Sequence, residues 1–471
     1  MRLGYTPLLD DSSPTPIYMQ LYRYVRGLIE TGTVCPGERL PSIRLLAQHL
    51  GIGKNTVESA YQQLLAEGYV ASKERGGYVV QPLDELDAVS EPAIAAPVFA
   101  VGNNGDRLAC AYDFQYGDVA FHRFPLDAWK RCMAGALASS DPQVLGYGEQ
   151  LGHEGLRAEI ASLALQSRGV NCHPDQILIC AGTQQAVSLL CQLLPLRGAA
   201  VGFEEPGYNG VRTVLRNHGC ALSPIALEPD GIRLDLLQAS GVKTVYVTPS
   251  HQFPLGMVLP IGKRIQLLQW ADENGAHIIE DDYDSEFRYN SKPIPSLKAL
   301  DKRERVIYLG TLSKSFLPAA RLSYMILPPE LMRSMHGELQ NYNQSVSPII
   351  QQAVWLFMKN GDYGRHIRKM RRIYQAKHKA LISAVARHMG ERVRVVGDGS
   401  GLHVILDVKN KSSEWLIERG ARFGCKTYSP LKHWHDPLQC PESYVMLGFG
   451  GLSEEQIEHG VKLLSEAWFS D

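Results

Sequence analysis

Five short apolar runs of this chain each end in residues able to hold a charged ligand. Ile177–Cys180 leads into Ala181-Gly182-Thr183-Gln184-Gln185, and Ala200–Phe203 into Glu204-Glu205-Pro206-Gly207-Tyr208. Thr244–Val247 leads into Thr248-Pro249-Ser250-His251-Gln252, and His277–Ile279 into Glu280-Asp281-Asp282-Tyr283. Val306–Leu309 leads into Gly310-Thr311-Leu312-Ser313-Lys314, with Arg321 a short way on. In an open parallel sheet, ligands bind beyond the carboxyl ends of the strands, which is where these residues would lie. A glycine and a hydroxyl opening a helix, as in Gly182-Thr183-Gln184, suit a phosphate. Taken singly, each segment also has an ordinary reading: a surface lysine, a capped loop, a helix cap, a packed turn aromatic.

Together they supply the parts that one cofactor needs. Pyridoxal 5'-phosphate takes an amine for its aldehyde and a carboxylate for its pyridine nitrogen. It also takes phosphate donors, an aromatic plate and a hydroxyl near the ring oxygen. Lys314, Asp281, the Gly182-Thr183-Gln184 cup with Thr311, Ser313 and Arg321, then Tyr208 and Tyr283, fill those roles in that order. A desolvated lysine near other cations would have the lowered pKa that an imine-forming amine requires.

The elements that must carry these residues follow from pattern. From Tyr112 onward, β-rich runs alternate with helical periodicity, which predicts an α/β domain with a largely parallel sheet over 112–471. Residues 83–111 hold Glu91-Pro92, Ala95-Ala96-Pro97 and Gly102-Asn103-Asn104-Gly105, lose periodicity, and read as a linker. Residues 1–82 read differently. Ile17, Leu21, Tyr24 and Leu28 recur at helical spacing. Ser42 is placed to cap a second short helix, and a third begins near Asn55 after Gly51 and Gly53. Two short strands around Arg75-Gly76-Gly77 complete a winged helix-turn-helix.

Such a motif sets the start of its second helix against base edges. Here that start is Gly53-Lys54-Asn55-Thr56, with Arg44 opening the preceding helix and Gly76 at the wing tip. Charge alone does not separate a DNA reader from the solvated face of a protein-binding domain. Between Arg39 and Gly77, five bases (Arg39, Arg44, Lys54, Lys73, Arg75) meet three acids (Glu58, Glu67, Glu74).

Whole-chain composition excludes several classes. The 471 residues carry 48 Lys plus Arg and 49 Asp plus Glu, so the surface is not uniformly basic. Nine cysteines form no CxxC pair, which argues against a zinc ribbon or disulfide framework and predicts buried thiols of a reducing cytoplasm. No apolar run reaches the roughly 18 residues of a membrane span, and Met1–Asp11 lacks a signal-peptide profile. A cytoplasmic protein without membrane contact is expected.

Gly37-Glu38-Arg39-Leu40-Pro41-Ser42-Ile43-Arg44-Leu45-Leu46-Ala47, with Asn55-Thr56-Val57 and Glu67-Gly68-Tyr69, resembles the DNA-binding domain of GntR-type bacterial regulators. That resemblance implies operator DNA as a partner and puts Arg44, Lys54, Asn55, Thr56 and Gly76 at DNA-contacting positions. Glu280-Asp281-Asp282-Tyr283-Asp284-Ser285-Glu286-Phe287, Thr311-Leu312-Ser313-Lys314 with Arg321, and Thr248-Pro249-Ser250-His251-Gln252-Phe253-Pro254 resemble the fold-type I aminotransferase domain of MocR/GabR-type regulators. The two resemblances cover almost the whole chain. They imply a domain-swapped, head-to-tail homodimer whose cofactor site is shared, with Tyr147 reaching the partner's phosphate. They also put His251 near the cofactor's ring oxygen, although a packed loop histidine accounts for that residue equally well.

Departures from the family pattern narrow the function. Aminotransferases of this fold grip the substrate carboxylate with an arginine on a late strand. The matching stretch, Val445-Met446-Leu447-Gly448-Phe449, has Met446 there, which predicts loss of ordinary transamination unless another cation such as Lys432 or Arg422 substitutes. The branch that senses γ-aminobutyrate has an arginine two residues after the stacking tyrosine, where this chain has Gly210. It has another in the loop aligned with Tyr428–Trp434, where this chain offers Lys432 and His433. The expected function is a transcriptional regulator whose effector is pyridoxal phosphate itself or an amine, amino acid or small peptide, not γ-aminobutyrate. A working aminotransferase with a DNA-binding appendage and a cofactor-free regulator are the alternatives.

Overall fold

The computed structural model describes residues 7–73, 77–83, 110–289 and 294–470. Contacts divide the chain into a unit over Met1–Asp106 and a unit over Arg107–Asp471.

In the first unit, α1 (Ile17–Glu30) buries Leu21, Tyr22, Val25 and Ile29, one face of a 3.6-residue period. The second helix, α2 (Ile43–Leu50), begins at Ser42, whose Oγ accepts the Leu45 N–H at 3.3 Å. It ends at Gly51, at φ +69°, a left-handed conformation that a Cβ would oppose. The third helix, α3 (Lys54–Ala66), is locked to the start of α2 by the Tyr61 hydroxyl, which donates to the Pro41 carbonyl at 3.0 Å. Strands β1 (Val70–Lys73) and β2 (Gly77–Val80) pair antiparallel, Val70 opposite Val80. These elements make the expected helix-turn-helix with its hairpin. Arg75 and Gly76 lie outside the described residues, as does most of the expected linker over 83–111.

The second unit opens with β3 (Tyr112–Asp113), α4 (Leu126–Leu137), α5 (Pro142–Leu145) and α6 (Glu154–Arg168). An alternating series follows: β4 (Ile177–Cys180), α7 (Thr183–Leu193), β5 (Ala200–Glu205), α8 (Asn209–Asn217), β6 (Ala221–Glu228) and β7 (Gly231–Ile232). Then come β8 (Thr244–Val247), β9 (His277–Asp282), β10 (Val306–Thr311) and β11 (Ser323–Ile326). The sheet order is β4-β11-β10-β9-β8-β5-β6-β7. Strands β10, β9, β8, β5 and β6 run parallel. Strand β11 is antiparallel to both neighbours. Sequence pattern did not single it out, and it matters: running the other way, it brings its amino-terminal end to the edge where the parallel strands finish.

A second, antiparallel sheet joins β12 (Val393–Val396) and β13 (His403–Val408) to β15 (Tyr444–Gly448), while β14 (Cys425–Lys426) pairs with β3. Helices Asp362–His388 and Glu454–Phe469 contribute buried Met370, Tyr374, Leu464 and Trp468 to the apolar core of this part. The large sheet is buried on both faces, as in Ile177, Ile179 and Tyr308 on one side and Leu178, Phe203 and Tyr246 on the other. Of the cysteines expected to be buried, Cys132, Cys180, Cys191, Cys220 and Cys425 are; Cys110, Cys172 and Cys440 are half-buried, and Cys35, in the loop after α1, is exposed. Among the described residues, no helix is long and apolar enough to cross a membrane.

Candidate functional site

The carboxyl ends of β4, β5, β8, β9 and β10 and the amino end of β11 converge on a cavity of about 220 Å³. Gly182, Thr183, Gln184, Tyr208, Asp281, Tyr283, Thr311, Ser313, Lys314 and Arg321 all line it. So do Tyr116, Tyr246, Thr248 and Phe253, to which the sequence reading gave no role.

Lys314 follows β10 directly, and its Nζ sits 4.4 Å from the centre of the Tyr116 ring. Burial lowers its pKa to about 8, while the carboxylates of Asp284 and Asp118 pull it the other way. The expectation of neighbouring cations is therefore corrected: desolvation alone does the lowering, and the nearby charges are carboxylates. Gly117, at φ +103°, leaves the amine its room, since a Cβ there would stand 3.1 Å from Nζ.

Asp281, near the end of β9, has its two oxygens in different states. Oδ2 accepts the Tyr246 hydroxyl at 2.5 Å, whereas Oδ1 is buried without a partner. Burial pushes the carboxyl up to about 7, against the lowering effect of the Tyr246 hydrogen bond. The Tyr246 ring is fixed by stacking on Phe203, with centroids 5.3 Å apart and planes at 7°. The adjacent Asp282 faces away and is fully engaged: Arg168 at 2.6 Å, Tyr308 at 2.6 Å and Ser285 at 3.0 Å. Burial raises its pKa, but Arg168 and these hydroxyls outweigh that and hold it below the usual carboxylate value.

The phosphate-type donors form a cup at the start of α7. Gly182 caps the helix at φ +102°, and a Cβ there would overlap the Arg321 guanidinium. Its own N–H is already spent on Ser323 Oγ at 2.9 Å. The donors left are the N–H groups of the helix's first turn, at Thr183 and Gln184, together with the Thr183 hydroxyl. Arg321, left-handed at φ +48°, donates to the Ala181 carbonyl at 3.2 Å. Thr311 Oγ1 donates to Ser313 Oγ at 3.2 Å and accepts the Ser313 N–H.

Tyr208 caps α8 and meets Phe253 edge-on at 5.7 Å. Gly210 lies one step into that helix, and a Cβ on it would stand 2.5 Å from Tyr208 Cζ and 2.8 Å from Gln184 Nε2. No side chain fits there with Tyr208 where it is. Met446 is buried on β15 opposite Ile405 of β13, in one apolar cluster with Phe253 and Tyr283. Neither proposed substitute cation reaches the cavity: Lys432 is exposed, and Arg422 pairs with Glu418 on the surface. The His433 ring is buried edge-on to Phe253 at 4.7 Å, both nitrogens without partners, and burial lowers its pKa to about 3.

His251 is not on the cavity wall, and neither is Tyr147, whose expected place is the partner's phosphate site. His251 is packed behind Tyr283: its Nδ1 lies 2.8 Å from the Tyr283 hydroxyl and 2.9 Å from Asp284 Oδ2. Tyr147, in the turn after α5, is 83% exposed.

In the helix-turn-helix unit, Arg44 lies in the first turn of α2, and Lys54, Asn55 and Thr56 open α3. Arg44, Lys54 and Asn55 are exposed and Thr56 is half-buried. Gly76 lies outside the described residues.

Residues 112–430 match the family profile of aminotransferase class I and II, and residues 17–80 match that of the bacterial regulatory proteins of the gntR family. The chain is 41% identical to the uncharacterized HTH-type transcriptional regulator YdeL of Bacillus subtilis, over 99% of this chain and 100% of that one. It is 32% identical to the probable rhizopine catabolism regulatory protein MocR of Rhizobium meliloti, over 98% and 96% of the two chains. Among solved structures, the multiple substrate aminotransferase of Thermococcus profundus superposes with a TM-score of 0.69 at 25% identity, covering 79% of this chain and 95% of that one.

Proposed function

The chain belongs to the MocR-type branch of the GntR bacterial regulators, and on that premise we propose that it is an operator-binding transcriptional regulator that senses its effector through Lys314. Pyridoxal phosphate binding is a property of the aminotransferase family to which 112–430 belongs. The residues of this cavity fit that group. The observation that carries the reading is the buried, unpartnered Oδ1 of Asp281, in a cavity that Lys314 shares. An oxygen left in that state costs free energy that a pyridine N–H would recover.

Bound there, pyridoxal phosphate supplies an aldehyde that condenses with primary amines. Lys314 offers a partly neutral amine, Tyr208 and Tyr283 flank the cavity, and the Thr183–Gln184 turn with Arg321 offers phosphate donors. Met446 gives no grip on a substrate carboxylate, so the domain acts as a sensor without physiological transamination. Gly210 and the neutral His433 disfavour γ-aminobutyrate. The effector is pyridoxal phosphate itself or an amine, amino acid or small peptide.

Arg44, Lys54, Asn55, Thr56 and Gly76 contact operator DNA. The assembly is a domain-swapped, head-to-tail homodimer in a bacterial cytoplasm, in which Tyr147 reaches the partner's phosphate site. Occupancy at Lys314 shifts the population between two spacings of the DNA-reading units and so sets operator affinity. The test is operator binding by the parent and by Lys314→Ala, with and without cofactor and amines. A variant that binds and releases its operator as the parent does would overturn the mechanism. An amine-dependent conversion of the bound cofactor to its amine form would instead establish an aminotransferase.

A further inference from the structure

The cavity distributes its charges unevenly. Among the described residues lining it, the cations are Lys314 and Arg321. In the reading above the first is taken by the cofactor's aldehyde and the second by its phosphate. Among the described lining residues the carboxylate is Asp281, while Asp118 and the buried Asp284, which is paired with His251, bear on Lys314 from outside that lining. An incoming carboxylate therefore meets no further cation among the described lining residues, and the negative charge behind the wall opposes it.

The surrounding wall points the same way. Phe253 and Tyr283 line the cavity, and Met446 and Ile405 join them in one buried apolar cluster. A thioether on that strand offers no donor, and a desolvated carboxylate without hydrogen bonds or a counter-charge is strongly disfavoured. An uncharged substituent meets no such penalty.

Resting on amine capture at Lys314 as proposed above, we infer that the effector is a primary amine whose amine-bearing carbon carries no carboxylate. Its other substituent is uncharged and packs toward Phe253. Capture is redox-neutral. The amine nitrogen would form the carbon–nitrogen double bond that Lys314 gives up, and the three hydrogens that the ammonium nitrogen loses would go to the released Nζ, which leaves as an ammonium.

The experiment uses the full chain loaded with pyridoxal phosphate and follows its visible absorption band. Matched pairs are titrated: ethylamine against alanine, isobutylamine against valine, and 2-phenylethylamine against phenylalanine, with both enantiomers of each acid. The amine is expected to half-saturate at a concentration at least tenfold lower than its acid in every pair that responds. Met446→Arg is expected to shift that preference at least tenfold toward the acid with the unliganded band retained. Should the arginine disturb folding, the paired titrations of the parent decide alone. An acid binding as tightly as its amine overturns the inference. A band that no amine moves overturns the inference and leaves the cofactor site standing; absence of any band at saturating cofactor overturns both.

Discussion

Tyr246 donates its hydroxyl to one oxygen of Asp281 at 2.5 Å, and the other oxygen is buried with nothing to accept. The carboxylate is thus aimed and half-satisfied before any ligand arrives. Charge-assisted hydrogen bonds contribute about 1.5–3 kcal/mol, so Asp281→Asn is expected to weaken pyridoxal phosphate binding roughly 10- to 100-fold. The same variant should stabilise the unliganded protein at alkaline pH. Burial raises the Asp281 pKa from 3.8 to about 7, so the folded state holds a proton that the unfolded state releases between those values. That difference lowers the parent's stability as pH rises through the window. The amide does not titrate. Urea unfolding of both unliganded proteins should show the variant gaining on the parent from pH 4 to pH 7, by about 1 kcal/mol or more.

Tyr246→Phe separates aim from charge. Losing the hydroxyl removes the bond that lowers the Asp281 pKa, so more of the carboxyl is neutral at pH 7. Cofactor affinity should fall about tenfold at pH 7 and recover most of that loss at pH 8.5. A loss that does not depend on pH would mean that the hydroxyl only positions the carboxylate.

Cofactor loading should itself be steep in pH. Burial brings Lys314 down to about 8, so the neutral amine fraction grows tenfold per pH unit below that value. Loading followed by stopped-flow absorbance should rise about tenfold between pH 6 and pH 7 and level off above pH 8. A flat profile would mean that the lysine is not the group whose neutral form limits the reaction.

Much of this site is legible from chain order because the cavity-lining residues follow strand ends. Gly182, Tyr208, Asp281 and Lys314 each lie just past an apolar run. Arg321 was found by spacing, but the reason for its place is the antiparallel β11, a strand whose four residues carry no alternation to mark it. Tyr246 escaped because it lies inside a strand buried on both faces, where an aromatic reads as core. Tyr116 escaped because only the tertiary fold brings the segment after β3 under Lys314. His251 was legible as a motif member, yet its bonding to Asp284 and Tyr283 sets it behind the wall.

Operator recognition should divide by contact type. Lys54 and Arg44 are exposed cations at helix starts, and Asn55 is an exposed amide beside them. Lys54→Ala should weaken all sequences alike and reduce the salt slope of log affinity by about 1. Asn55→Ala should cost about 1–3 kcal/mol on the operator and relax the preference for one base. Fluorescence anisotropy across salt, with operator and scrambled duplexes, measures both. An Asn55→Ala protein of unchanged specificity would remove that residue from base reading.

Gly210 tests how closely the aromatic plate is fitted. A methyl group there would stand 2.5 Å from Tyr208 Cζ and 2.6 Å from its hydroxyl, with Gln184 Nε2 at 2.8 Å. The crowded atoms are side-chain ends, so the helix survives and the ring moves. Gly210→Ala is therefore expected to keep its melting temperature while binding pyridoxal phosphate about tenfold more weakly, equivalent to about 1.4 kcal/mol. Gly262, in the helix Ile261–Glu273, has nothing within 4 Å of the same added atom. Gly262→Ala should leave cofactor affinity unchanged and raise stability by about 0.4–1 kcal/mol. Equal cofactor affinity in the two variants would show that Tyr208 does not need its present position to hold the ring.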